Sequence, residues 1–265
     1  FLKGLIFKSK KKDAIRYYRF KHIIQFHDAN IVTRGLPEDV FNLWRDFNKL
    51  EWPATHKIIE EILPAPAGRV IPVNESVSPE AQVMPFDDVS ELVNSAYRIA
   101  VVPCTCRLVE GECGLPVENC IQMNKAADYT VERGTGREIS KEETFTILDE
   151  ARKAGLVHVV DNRRSNGHII CNCCADCCIN WPDPKNYRQL FTAPSRYIAS
   201  VNDEACTACE NCPDRCHFDA IVMNEDGDLA VVDEAKCMGC GLCQVTCDDG
   251  AISLIVKRAV EFIPE

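Results

Sequence analysis

The feature that most restricts what this 265-residue chain can fold into is its 17 cysteines, which come in bursts. Cys206-x2-Cys209-x2-Cys212-x3-Cys216 recurs as Cys237-x2-Cys240-x2-Cys243-x3-Cys247, each member displaced by 31 residues, so the segment is an internal repeat. An odd number of thiols in a chain this long does not suit a disulfide-stapled mini-protein. Adjacent pairs such as Cys173-Cys174 and Cys177-Cys178 suit metal-ligating thiolates better than bridges. Thiolates that hold metal must stay reduced, which makes the cytoplasm of an anaerobic cell the expected setting. The repeated spacing has a chemical reason. Three thiolates on one tight loop can cap three iron corners of a cubane, and the fourth ligand must arrive from another direction. Zinc is the bland alternative for four thiolates, but two successive quartets with x2-x2-x3 spacing speak against it.

Both quartets resemble the bacterial two-[4Fe-4S] ferredoxin family, over roughly Val201 to Leu254. That resemblance implies two clusters with interlocked ligands. Cys206, Cys209, Cys212 and Cys247 would hold one cluster, and Cys237, Cys240, Cys243 and Cys216 the other. Gly239 and Gly241 are expected to let the backbone approach the second cluster, with Ala208 and Asn211 in the corresponding loop of the first. Ala220-Ile221 and Ala251-Ile252 follow the fourth cysteines at one offset and are expected to pack over the cubanes. Ile221–Met223 and Leu229–Val232 predict a hairpin joining the halves. The family usually has Pro after the fourth cysteine, whereas this chain has His217 and Asp248. Either residue could shift a cluster potential, but a solvent-facing side chain with little effect is the plainer expectation.

Nine more cysteines fall in two groups: Cys104, Cys106, Cys113 and Cys120, then Cys171, Cys173, Cys174, Cys177 and Cys178. They are too clustered for core packing, where free cysteines are buried singly. Val-Pro-Cys-Thr-Cys-Arg and Ile-Ile-Cys-Asn-Cys-Cys resemble a group of ferredoxin-fused proteins from anaerobes, over about Asp88 to Leu254. Nine thiols suffice for two further [4Fe-4S] clusters with one to spare. One cluster plus structural or redox-active thiols, or a larger cluster with an open iron site, are the alternatives. Arg107 could steady a cluster's charge, although a surface salt bridge is the commoner fate of an Arg. His158 and His168 read as packed or exposed histidines rather than ligands. A lone Gly134-x-Gly136 lacks the third glycine and the preceding strand of a nucleotide site.

The rest of the chain reads as α+β: a helical N-terminal region, a small winged-helix-like α/β cysteine-rich domain, and the ferredoxin domain. The expected divisions are 1–86 (helices and a Pro-rich linker), 87–200 (cysteine-rich and cluster-binding) and 201–265. Helices are predicted after Leu36-Pro37, over His56–Leu63, from Asp88 to about Tyr97, and over Val117–Glu132. A further helix follows the capping box Ser140-Lys-Glu-Glu143, with Phe145, Ile147, Leu148 and Ala151 buried and Gly155 as the stop. Ile99–Val102 reads as a strand, and 156–161 with 168–172 as a hairpin. Hydrophobic residues at 46% and charged residues at 26% exclude disorder of the whole chain, and no apolar run reaches the roughly 20 residues of a spanning helix. The sequence opens at Phe1, so it reads as a piece of a longer chain with room for a targeting segment before it.

Charge sharpens the functional expectation. From Asp203 to Ala251 there are 12 acidic residues against Arg215 and Lys236, which accounts for the whole net charge of −10. Such a module repels nucleic acid and favours docking on a basic redox partner or an oxidoreductase subunit. Phe1–Lys21 carries eight Lys or Arg against Asp13, a basic arm that could touch a partner or lie peripherally on the inner face of a membrane. The first expectation is an iron–sulfur electron-transfer protein working with a larger oxidoreductase rather than a catalyst by itself, since no acid–base or nucleophilic constellation is present. The second is an Fe–S reductase with an active-site cluster in 104–178. The third is a cluster-sensing DNA-binding regulator. The helix from Lys141 to Lys153, with four acids against three bases, suits phosphates poorly.

Overall fold

The computed structural model describes residues 66–73, 76–79, 83–110, 113–165, 167–178 and 192–265. The helices expected after Leu36 and over His56–Leu63, and the basic arm, lie outside these residues.

The first local signals form as their chemistry dictates. Asp88 accepts hydrogen bonds from the Ser90 and Glu91 amides and starts α1 (Val89–Ser95). Before it lies β1 (Gly68–Val70), and after it come β2 (Ile99–Pro103) and α2 (Thr105–Glu110). The helix expected over Val117–Glu132 is instead β3 (Glu118–Met123) followed by α3 (Lys125–Glu132), with Asn124 between them at φ +58°. Pairing on both edges of β3 outweighs the helical pattern there, since β2 flanks one side and β6 (Ile169–Cys173) the other. β4 (Arg137–Glu138) leads to α4 (Lys141–Lys153), where Ser140 Oγ accepts from the Glu143 amide at 3.1 Å. Ile147, Leu148 and Ala151 are buried as expected, Phe145 is half-buried, and Thr144 joins them. Gly155 leaves the helix at φ +85°.

One sheet organises the chain. With β5 (Val157–Asp161) and β7 (Thr192–Ala193), its strand order is β4-β2-β3-β6-β5-β1-β7. All the pairings are antiparallel except β1 with β7. Two expectations change accordingly. Gly68–Val70, read as part of a Pro-rich linker, is a strand of this sheet. The β5–β6 hairpin, instead of standing free as a wing, lies inside it, with β3 and β1 on its flanks.

The C-terminal module begins with β8 (Tyr197–Val201), which pairs with β11 (Ile252–Val256) in register Val201 to Ile252. Between them lie α5 (Asn211–Arg215), the hairpin β9 (Ile221–Met223) with β10 (Ala230–Val232), and α6 (Leu242–Val245). Strand alternation decides how the pieces stack. Val160, Ile170 and Ile71 join a cluster with Leu92, Val93, Ile147 and Leu148 of α1 and α4. Val157, Val159, Ile169 and Val70 join another with Met238 and Leu242 of the C-terminal module. The sheet is therefore covered on one face by helices and on the other by that module. The architecture is α+β.

Polar contacts reinforce the junction. Arg215 donates to the Arg152 and Lys153 carbonyls at 2.9 and 2.8 Å, satisfying the end of α4, and His217 Nε2 meets the Gly155 carbonyl at 2.7 Å. Because a carbonyl only accepts, that ring nitrogen carries the proton. Asp87, wholly buried, receives Arg69 at 3.5 Å and Arg196 at 2.9 Å, joining the N-terminal side of the sheet to the start of β8.

Candidate metal centres

The repeat in the sequence is also a repeat in the backbone. Ala208 and Gly239 have φ of +55° and +64°, Glu210 and Gly241 have +63° and +83°, and Asp219 and Gly250 have +52° and +65°. Each pair is separated by 31 residues, so both cysteine loops turn through the same left-handed positions. Glu210, rather than Asn211, is the counterpart of Gly241. The glycines also serve packing against the neighbouring chain. A Cβ on Gly239 would stand 2.2 Å from Ser195 Oγ and the Tyr197 carbonyl, and one on Gly241 would stand 2.6 Å from Ser76. Ser195 and Ser76 hydroxyls donate to the Gly239 and Gly241 carbonyls at 2.8 and 2.9 Å, locking the second loop in place.

Each loop faces a cavity whose cysteines come from both repeats. Cys216, Cys237, Cys240 and Cys243 line one of about 380 Å³, with Ala220 and Ile221 on its wall. Cys206, Cys209, Cys212 and Cys247 line another of about 310 Å³, with Ala251 and Ile252. Four thiols around an apolar space are the donor set a cubane takes. Backbone amides point at sulfur as well: Ala199 N–H to Cys237 Sγ at 3.5 Å and Ala220 N–H to Cys216 Sγ at 3.4 Å. Burial raises Cys240 to about 12 and Cys212 to about 11, and it pushes Cys237 and Cys243 upward too.

A third cavity, of about 300 Å³, lies in the cysteine-rich region. Like the other two, it is ringed by cysteines. Sheet topology builds it. Because β2, β3 and β6 are adjacent and antiparallel, the end of β2, the start of β3 and the end of β6 meet at one end of the sheet. Cys104 and Cys106 follow β2, Cys120 sits opposite Val102, and Cys171 and Cys173 ride on β6. The turn after β6 adds Cys174, Cys177 and Cys178, and all eight line the cavity. Cys113 stands beside Cys174 and Cys177, the three sulfurs all lying within 4.8 Å of one another.

Arg107 is at the centre of this group, only 3% exposed. It donates through Nε to Cys113 Sγ at 3.2 Å and through Nη2 to Cys174 Sγ at 3.6 Å. The Asn119 side chain and the Pro116 and Asn172 carbonyls hold it in place. Burial opposes the guanidinium's charge, but the sulfurs of Cys174, Cys104 and Cys113 outweigh it, and its pKa rises. Burial opposes ionisation of the Cys113 thiol as well, but the Leu115 amide, Cys177 and Arg107 together hold it below its ordinary range. Cys177 is pushed up to about 12 by burial, and Cys173 is pushed up by its hydrogen bonds to Cys171 and Cys178 and by burial. The commoner fate of an Arg, an exposed ion pair, does not apply to Arg107.

Asn119 and Asn172 were not singled out in the sequence. Asn172 bridges His158 Nδ1, at 2.6 Å, and the Asn119 carbonyl, so a polar network backs the thiols. An Asn inside the apolar run Ile169–Cys173 is the one signal that could have found it. His158 is buried in that network, and His168 is held near Asp161. His217 faces the Gly155 carbonyl and is only partly exposed, whereas Asp248 is exposed. Gly136 lies where a Cβ would meet the Val101 carbonyl at 2.3 Å, so this glycine serves close packing on β2.

Residues 230–253 match the 4Fe-4S binding domain family. That stretch holds Cys237, Cys240, Cys243 and Cys247, so the chain contains an iron–sulfur domain of ferredoxin type and donors for at least one [4Fe-4S] cluster. No curated protein and no solved structure matches the chain. Among the described residues no helix is long and apolar enough to cross a membrane.

Proposed function

We propose that this protein relays single electrons between a docked redox partner and the cysteine-rich region, as a component or partner of a larger oxidoreductase. A [4Fe-4S] cluster supplies reversible one-electron chemistry, while the protein holds, insulates and tunes it. Cys206, Cys209, Cys212 and Cys247 hold the outer group, and Cys216, Cys237, Cys240 and Cys243 the middle one. Thiols among Cys104, Cys106, Cys120, Cys171, Cys173 and Cys178 hold a third.

One observation carries this reading. Cys240 packs against the same buried apolar cluster as Cys171, Cys173 and Cys178. On the far side of the cavity that Cys240 lines, Cys216, Cys237 and Cys243 share a buried apolar cluster with Cys206, Cys212 and Cys247. The three cavities thus follow one another in order, with the buried Met238 and Leu242 lining the middle one. Electrons enter at the outer group, where Cys209 is exposed on an acidic surface that attracts a basic partner. Thiols that hold clusters must stay reduced, which suits a cytoplasmic setting.

Iron and sulfide per chain on anaerobically purified protein test the reading. About 12 irons are expected, four for each of three cubanes. A colourless protein without iron would refute it. A second reading, a reductase with its active-site cluster in the third cavity, is favoured by the eight thiols there, more than one cubane uses. Substrate-induced changes in the EPR spectrum of that cluster would distinguish it from a pure carrier.

A further inference from the structure

We propose that Cys113, Cys174 and Cys177 form a separate site for one zinc ion, set at the wall of the third cavity and distinct from the electron-carrying clusters. Their Sγ atoms all lie within 4.8 Å of one another. Zinc–thiolate bonds are about 2.3 Å long, so two thiolates on one tetrahedral ion stand about 3.8 Å apart. The triad closes on a single ion with small side-chain movements. A cubane presents four separate iron corners and needs its sulfurs more widely spread. The protein supplies its own comparison. The quartets around the two C-terminal cavities contain no three sulfurs this close, and among the described residues no other group of Cys, His, Asp or Glu does either.

Spacing and charge agree with the assignment. Cys174-x2-Cys177 lies on the turn after β6 and has the chelating spacing of structural zinc loops, with Cys113 reaching it from the segment before β3. Three thiolates and a divalent cation leave one negative charge, and the buried Arg107 offsets it through its bonds to Cys113 and Cys174. Arg107 is held by three further hydrogen bonds, so its orientation does not depend on the ion. Cys174 and Cys177 are buried while Cys113 is partly exposed, which leaves the fourth position on the Cys113 side for water or a small thiol. Such an ion would join the loop before β3 to the turn after β6 and so fix the mouth of the third cavity.

The test uses the full chain, purified without oxygen, with zinc and iron measured on the same sample. One zinc per chain is expected, with zinc X-ray absorption showing three sulfurs at about 2.3 Å. Cys113→Ser and Cys177→Ser should each weaken zinc retention against a chelator at least tenfold, while iron per chain and the reduced-cluster EPR signals stay unchanged in Cys113→Ser, whose thiol does not line the third cavity. Loss of about four irons in Cys113→Ser would overturn the proposal, since that thiol would then belong to a cubane. So would a chain that carries no zinc and takes up none when Zn2+ is added under reducing conditions. The absorption measurement on the unmodified chain stands even if a variant folds poorly. The site is also separable from the relay, because zinc bound at three sulfurs in a chain lacking iron in the third cavity would uphold this proposal and count only against the relay.

Discussion

Removing Asp87 should damage the molecule far more than removing the whole charge cluster around it. Asp87 is wholly buried and is met by Arg69 and Arg196, themselves 1% and 5% exposed. Burial lowers Arg69 to about 10 in spite of Asp87, and burial raises the Asp87 carboxyl in spite of both arginines. In each case desolvation exceeds the attraction, so the cluster joins the parts of the fold without being a strong net stabiliser. Asp87→Ala would strand two buried guanidiniums, a change that costs roughly 3–5 kcal/mol, whereas apolar replacement of a whole buried ion cluster is often neutral. For a chain of this size each kcal/mol shifts Tm by about 2–4 °C, so a fall of about 6–20 °C is expected. The triple variant Arg69→Met, Asp87→Leu, Arg196→Met should fall by less than half as much. Thermal unfolding under anaerobic conditions, followed by far-UV circular dichroism and by bleaching of cluster absorbance, measures both. A single variant within about 2 °C of the parent, or a triple variant as damaged as the single one, would refute the reasoning. The pH dependence has a definite sign. A carboxyl raised in the fold contributes stability that is full below its unfolded pKa of 3.8 and is lost as pH rises through the folded value.

Other consequences are as direct. Ala208→Gly and Glu210→Gly relieve left-handed positions that glycine fills in the second repeat and should each stabilise by about 1 kcal/mol in denaturant titration. Gly239→Ala should do the reverse, costing ~3 kcal/mol or more, because its Cβ meets Ser195 and Tyr197. Arg215→Ala leaves the last carbonyls of α4 without their donor and should cost roughly 1–2 kcal/mol, read as a lower unfolding midpoint. In the metal-free chain, Cys240 and Cys177 at about 12 against an ordinary 9.0 favour the protonated fold, so stability should hold below pH 9 and fall between pH 9 and 12. Iron loading near neutral pH should accordingly release protons, measurable in weak buffer by a pH indicator.

What could be read beforehand followed from interactions between near neighbours in sequence. The Ser140 capping box, the Gly155 stop and the β5–β6 and β9–β10 hairpins rest on spacings of a few residues, and the repeated cysteine spacing on an internal displacement of 31 residues. Segment 117–132 misled because helical periodicity cannot report that β2 and β6 stand ready to pair with Glu118–Met123. Gly68–Val70 escaped notice for the same reason, since a short strand is defined by its neighbours β5 and β7. The burial of Arg107 was equally invisible, because its partners lie as far along the chain as Cys174.

By itself, then, the sequence determined the donor atoms and the repeat, because thiol chemistry and a 31-residue displacement are properties of the chain alone. Only the tertiary structure decided which of the other nine thiols meet. Strand order brings the end of β2, the start of β3 and the end of β6 together, and sheet order depends on long-range pairing that no local pattern encodes. It also decided that Cys113, Cys174 and Cys177 crowd within reach of one ion while the ferredoxin-type quartets stand apart, since sulfur separations follow from packing rather than from spacing along the chain.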